Sequence, residues 1–470
     1  MKYVSTRGLA PTLGFSDVLL AGLARDGGLY VPETWPQVSE EAIAGFAGRP
    51  YADVASEIIS PFVGGEISDA ELKAMCKAAY AGFRHPATAP LTKLHDGQYV
   101  LELFHGPTLA FKDFAMQLLA QLMDHVLAKR GNRITIVGAT SGDTGAAAIE
   151  AFQGRHNVDV FILFPENRVS LFQQRQMTTV AAKNVHAIAI KGTFDDCQAI
   201  VKGLFANAKF RDGVGLSGVN SINWARIVGQ IVYYFTAASA LGAPRQRVSF
   251  TVPTGNFGDI FAGYAAKRMG LPIDTLVIAT NVNDILARTL ATGRYDLRDV
   301  TATSSPSMDI QVSSNFERLL FEASGRDAAI VRRLMETLAR DKAFSLSADM
   351  LAAIKADFAA GSADETDVAA TIGKTRKETG FLADPHTAVG LAVAARTAKK
   401  GVPMVTLSTA HPAKFPDAVK AAAHVEPSLP QGFADVLKKP ERLVTLANDQ
   451  RAVEDHIRAH VSAVEKASIA

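Results

Sequence analysis

Lys112 sits in the run Leu103-Phe104-His105-Gly106-Pro107-Thr108-Leu109-Ala110-Phe111-Lys112-Asp113-Phe114, where an amine follows apolar residues and opens a long amphipathic helical pattern. Partial desolvation there disfavours the ammonium form, lowers the pKa and frees the lone pair that condenses with an aldehyde. A lysine in a first helical turn, taken alone, reads more simply as one snorkelling toward solvent. Two glycine-rich turns change that weighing.

The first, Val137-Gly138-Ala139-Thr140-Ser141-Gly142-Asp143-Thr144-Gly145-Ala146, leaves a β-rich run and enters an alanine-rich helix. Its small residues permit close backbone approach, and a helix start offers unpaired N–H groups to an anion. The glycine spacing of a dinucleotide fingerprint is absent, as is a phosphate-loop lysine. The second, Phe250-Thr251-Val252-Pro253-Thr254-Gly255-Asn256-Phe257-Gly258-Asp259-Ile260, repeats the strand-to-helix form. Gly255 and Gly258 let successive N–H groups converge, so a phosphate monoester can be held with no cation. Each turn alone is as easily a plain connection. Two anion cups plus a desolvated lysine are economically explained by pyridoxal phosphate, with an aldehyde for the lysine and a phosphate for one cup. The other cup is then left for substrate.

A third turn, Leu407-Ser408-Thr409-Ala410-His411-Pro412-Ala413-Lys414, ends the last clear β-rich run. A hydroxyl such as Thr409 can bond a pyridine nitrogen that stays neutral. In Asn220-Ser221-Ile222-Asn223-Trp224-Ala225-Arg226, Ser221 and Arg226 stand a little over one helical turn apart, and the guanidinium fork suits a phosphate.

The elements that must position these residues alternate. Short β-rich runs at 134–137, 158–164, 185–190, 248–252, 276–279 and 404–407 are separated by helical patterns, which predicts parallel sheets covered by helices, with ligands at the carboxyl ends of the strands. Residues 1–95 read as a mainly helical leading domain, with helices near 15–24, 40–47 and 69–81. Residues 131–240 are expected to form a smaller lobe, and 96–130 with 241–470 a larger one. The alanine-rich block 327–377 reads as a helical insertion without a convincing strand. With 470 residues, 48% hydrophobic and 20% charged, two or three lobes have ample core. A net charge of +2 without a basic aromatic tract argues against nucleic acid. No signal core or membrane span is visible, and Cys76 and Cys197 fit no metal or disulfide pattern, so a metal-free cytoplasmic protein is expected.

Together these motifs resemble those of the threonine synthase family in its long bacterial and fungal form, a fold type II (tryptophan synthase β-like) pyridoxal-phosphate enzyme. The carriers are Asp26-Gly27-Gly28-Leu29-Tyr30-Val31-Pro32, the Gly106 to Asp113 run, and Pro306-Ser307-Met308-Asp309-Ile310-Gln311-Val312-Ser313-Ser314-Asn315-Phe316-Glu317-Arg318. The resemblance implies that Lys112 bonds the cofactor aldehyde, that Gly255, Asn256, Phe257, Gly258 and Asp259 hold its phosphate, and that Thr409 faces its ring nitrogen. Asp143 falls where relatives place an asparagine beside the ring hydroxyl, and a carboxylate there needs a shared proton. Ser141, Thr144, Asn220, Ser221 and Arg226 match substrate-phosphate positions, with Lys414 assisting. The implied reaction turns O-phospho-L-homoserine and water into L-threonine and phosphate, with Lys112 as the base, in a monomer or homodimer. A threonine or serine dehydratase, a β-replacing synthase and a catalytically silent regulator are the alternatives.

Overall fold

The computed structural model describes residues 1–462. Two sheets organise the chain. The larger has six strands in the order Phe358–Ser362, Ile273–Thr280, Val248–Pro253, Met404–Ser408, Gln98–Glu102 and Leu91–His95. All pairs are parallel except the last. The smaller is wholly parallel, in the order Val444–Ala447, Val185–Lys191, Val158–Pro165, Ile134–Ala139 and Leu216–Ser217. Val158–Pro165 is buried at every position, as expected of an apolar run at the centre of a sheet covered on both faces. The α/β class and the parallel sheets match the sequence reading.

Several placements do not. The block 327–377 contains two strands: Ala343–Ser345, which pairs antiparallel with Arg294–Asp296, and Phe358–Ser362, the edge of the large sheet. The latter reads Phe-Ala-Ala-Gly-Ser, without β-branched residues. Its extended form follows from pairing with Ile273–Thr280, and a Cβ on Gly361 would lie 2.9 Å from Val393. Val444–Ala447 joins the small sheet although it falls in the stretch assigned to the larger lobe, because a four-residue edge strand carries too little pattern to reveal its partner. Sequence position alone places helix Trp224–Ala240 with the smaller lobe. Instead it packs against Tyr51–Val63, Lys112–Arg130 and Gly258–Arg268, as its nearly continuous burial requires.

The leading segment adds a ribbon to its helices: Tyr3–Ser5 pairs with Tyr30–Pro32. Asp26 closes it, accepting from Ser5 Oγ and from the N–H groups of Gly28, Leu9 and Ala10. The fully buried Arg318 then ties this ribbon to the site, donating to the Tyr30 and Ile222 carbonyls and to Asn315 Oδ1.

Candidate active site

The strand ends Ala139 and Pro253, and Thr409 just past the end of strand Met404–Ser408, drawn from both sheets, line one cavity of about 350 Å³, a size suited to a cofactor and a small substrate. Lys112 lies on its wall as the first residue of helix Lys112–Arg130. The preceding loop is fastened alongside the end of strand Met404–Ser408: Leu103 N–H donates to the Ser408 carbonyl, Phe111 N–H to that of Thr409, and His411 N–H to that of Leu109. Those bonds place Lys112 and Thr409 on one cavity. The loop also needs Gly106, where a Cβ would sit 2.4 Å from Asp113 Oδ2, and it holds Leu109 at φ +63. Buried Asp113 secures the turn by accepting from Thr108 N–H and Oγ1.

Around the Lys112 amine, burial pulls the pKa down; Asp143 opposes this, and the cations Lys414 and Arg226 add to it. Lys112 Nζ is 3.3 Å from Asp143 Oδ2 and 5.0 Å from the centre of the Phe111 ring. The shared proton expected for Asp143 is not what its surroundings give. Burial disfavours its charge, but Lys414, Lys112 and Gln173 outweigh burial and hold the carboxyl well below the usual range. Asp143 and Lys414 lie behind the cavity wall. Lys414, expected beside substrate phosphate, has no exposed surface and contacts Asp143 Oδ1 at 2.6 Å and the Thr108 carbonyl at 2.8 Å.

The turn from Gly255 to Ile260 is an N–H cup. None of its six backbone N–H groups donates to another described residue, and among the described residues no lysine or arginine side chain bonds to it. Residues 313–315 brace it from outside: Ser313 Oγ donates to the Gly255 carbonyl, and Asn315 N–H and Nδ2 to that of Asn256. Gly255 is required because a Cβ there would meet the Ser307 carbonyl at 2.7 Å. Asp259 contributes only backbone. Its carboxyl accepts from the hydroxyls of Tyr233 and Tyr234, and burial pushes it up to about 7. The Thr409 hydroxyl borders the cavity and makes no bond to another described residue.

Across the cavity, Thr140 Oγ1 accepts from Gly142 and Gly145 N–H, leaving those of Ser141, Asp143 and Thr144 without a partner among the described residues. Ser141, Thr144, Asn220, Ser221 and Arg226 all line this side. Arg226 is buried and, among the described residues, pairs with no carboxylate. One nitrogen donates to the Val219 carbonyl at 3.2 Å, Nε has no partner among the described residues, and burial lowers the pKa to about 10. An orphaned guanidinium of this kind calls for an anion.

The residues fit pyridoxal phosphate: an amine for its aldehyde, a cation-free N–H cup for its phosphate and a free hydroxyl for its ring nitrogen share one cavity. Other lining residues were not anticipated. His386 borders it, with Nδ1 2.9 Å from Asp384 Oδ1 and Nε2 accepting from Ser307 N–H. Its sequence signal, Asp384-Pro385-His386-Thr387, reads only as a helix start. Phe194, Gln198 and Lys202 line the cavity from one face of helix Phe194–Ala206. Among the described residues there is no cluster suited to a metal and no helix long and apolar enough to cross a membrane.

Comparison with known proteins gives three family matches: a threonine synthase N terminus over residues 2–80, a pyridoxal-phosphate dependent enzyme over 86–409 and a threonine synthase C-terminal region over 387–457. A threonine synthase of Pseudomonas aeruginosa is 52% identical over 463 residues, covering 98% of each chain. Among solved structures, PLP-bound threonine synthase from Brucella melitensis is 60% identical with a TM-score of 0.97, covering 98% of this chain and 100% of that one. The Escherichia coli threonine synthase structure is 33% identical with a TM-score of 0.83, again covering 98% and 100%.

Proposed function

This chain belongs to the threonine synthase family of pyridoxal-phosphate-dependent enzymes, and we propose that it converts O-phospho-L-homoserine and water into L-threonine and phosphate. One observation carries the assignment to this cavity: two separate anion sites flank one amine. A dehydratase acting on serine or threonine has no use for the second site.

Bound pyridoxal phosphate supplies an aldehyde that captures amines and a ring that stores the electrons of a deprotonated carbon. Lys112 is the residue that would hold that aldehyde in the absence of substrate. Once freed, its neutral amine, which holds one proton at a time, would take the α-proton, give it up before taking a β-proton, and return protons to the γ-carbon and finally to the α-carbon, while water supplies the hydroxyl of the β-carbon. The N–H groups from Gly255 to Asp259 would hold the cofactor phosphate, and the Thr409 hydroxyl would donate to a neutral ring nitrogen without adding charge. Arg226, with Ser141, Thr144, Asn220 and Ser221, binds the substrate phosphate and retains it as it leaves, beside the position where water must add. The two sheets form lobes that close on a doubly anchored substrate, which keeps bulk water out until the addition step. Nothing in the chemistry calls for a membrane or nucleic acid, and the reading fits a cytoplasmic enzyme acting as a monomer or homodimer.

The test is an assay of threonine and phosphate released from O-phospho-L-homoserine, with serine and threonine as competing substrates. Equal release of both products from the phosphorylated substrate, with little keto acid from serine or threonine, is expected. Turnover of serine or threonine at a comparable rate would contradict the proposal. Lys112→Ala should remove both turnover and the visible absorption of a lysine-bound cofactor.

A further inference from the structure

Behind the cavity wall lies a charge arrangement that the reaction as described leaves unused. Lys414, on the short 3-10 helix Pro412–Lys414, contacts Asp143 Oδ1 at 2.6 Å and donates to the Thr108 carbonyl at 2.8 Å. Gln173 Nε2 donates to the same carboxylate oxygen at 2.8 Å. Lys112 reaches only the other oxygen, at 3.3 Å. One buried carboxylate between two amines balances a single ammonium, and a second would be a buried charge without a counterion. Lys414 has the shorter contact, a second acceptor and no exposed surface, whereas Lys112 faces the cavity.

The other groups around Lys112 do not restore the balance. Arg226, from helix Trp224–Ala240, is another cation, and Asp259, from helix Gly258–Arg268, is pushed up to about 7 by burial. Beyond Lys414, burial likewise raises Asp113 to about 6 and Glu150 to about 7. We propose that Lys414 is a positioning residue: it takes up the charge of Asp143 and leaves Lys112 a free amine before any cofactor binds. The inference rests on Lys112 being the cofactor lysine, but it concerns the proton balance of the chain itself.

Competitive acetylation of amines across a pH series, read by mass spectrometry on the full-length chain freed of cofactor, gives the titration midpoint of Lys112. K414M keeps much of the side-chain length and removes the charge, so Asp143 then acts on Lys112 alone and the midpoint rises by roughly one pH unit or more. D143N strands two cations together and lowers the midpoint, and K414M/D143N falls between the two single variants. A structural role for Lys414 would not produce these opposite signs. An unchanged or lowered midpoint in K414M overturns the proposal. Should K414M fail to fold, the double variant and D143N carry the test: a higher midpoint in the double supports the role of Lys414, and equal midpoints overturn it. Visible cofactor absorption persisting in Lys112→Ala would instead overturn the cofactor assignment without touching these midpoints, so the two failures are distinguishable.

Discussion

The two anion sites differ in the source of their positive potential. Between Gly255 and Ile260 it comes from backbone N–H groups and a helix start, with a tyrosine-bound carboxyl beneath that burial pushes up to about 7. Across the cavity it comes mainly from Arg226, an unpaired buried guanidinium. A backbone cup is preorganised and cannot be withdrawn, which suits a resident group. A buried arginine without a counterion is costly until an anion arrives, which suits a ligand that comes and goes and whose binding helps to close the site. The contrast supports the proposal that cofactor phosphate takes the first cup and substrate phosphate the second.

Breaking one side should leave the other intact. Arg226→Ala is expected to raise KM for the phosphorylated substrate by about 100-fold, with cofactor retention unchanged, as substrate titration beside absorbance of the bound cofactor would reveal. Equal loss of both would place Arg226 in the wrong cup. Gly255→Ala drives a Cβ against the Ser307 carbonyl and should weaken cofactor binding by about 10- to 100-fold, measured by reconstitution of the cofactor-free chain, with a far smaller change in KM once saturated. Thr409→Val removes one neutral hydrogen bond and should cost about threefold to tenfold in kcat, with a shifted cofactor absorption band. The last effect is on stability rather than on activity. Burial pushes the carboxyl of Asp259 in the folded chain up to about 7, above the ordinary aspartate range, so between those values the folded chain holds a proton that the unfolded chain has lost. Its contribution is fully present below about pH 4 and is lost as pH rises toward 7. Asp259→Asn should flatten that part of the pH dependence of thermal unfolding in the cofactor-free chain; an unchanged slope would mean that the carboxyl ionises readily in place.

Much of this site was legible because its parts are local. The run around Lys112, the turn from Gly255 to Asp259 and the Thr409 turn each carry their geometry in a few adjacent residues. The side-chain pairings were not legible, since they join distant segments. Nothing near Lys414 in the sequence points to Asp143, and nothing near Asp259 announces that two tyrosines on another helix will claim its carboxyl and leave only its N–H for the cup. The same holds for the fold. The central strand Val158–Pro165 declares itself by continuous apolar character, whereas Phe358–Ser362 and Val444–Ala447 are strands only because an edge awaits them.

Reduction with borohydride of the full chain carrying pyridoxal phosphate, followed by peptide mapping, tests the central claim most directly. The account predicts that the cofactor becomes fixed to Lys112 alone. Stoichiometric fixation to Lys202, Lys414 or another lysine, with Lys112 unmodified, would contradict it.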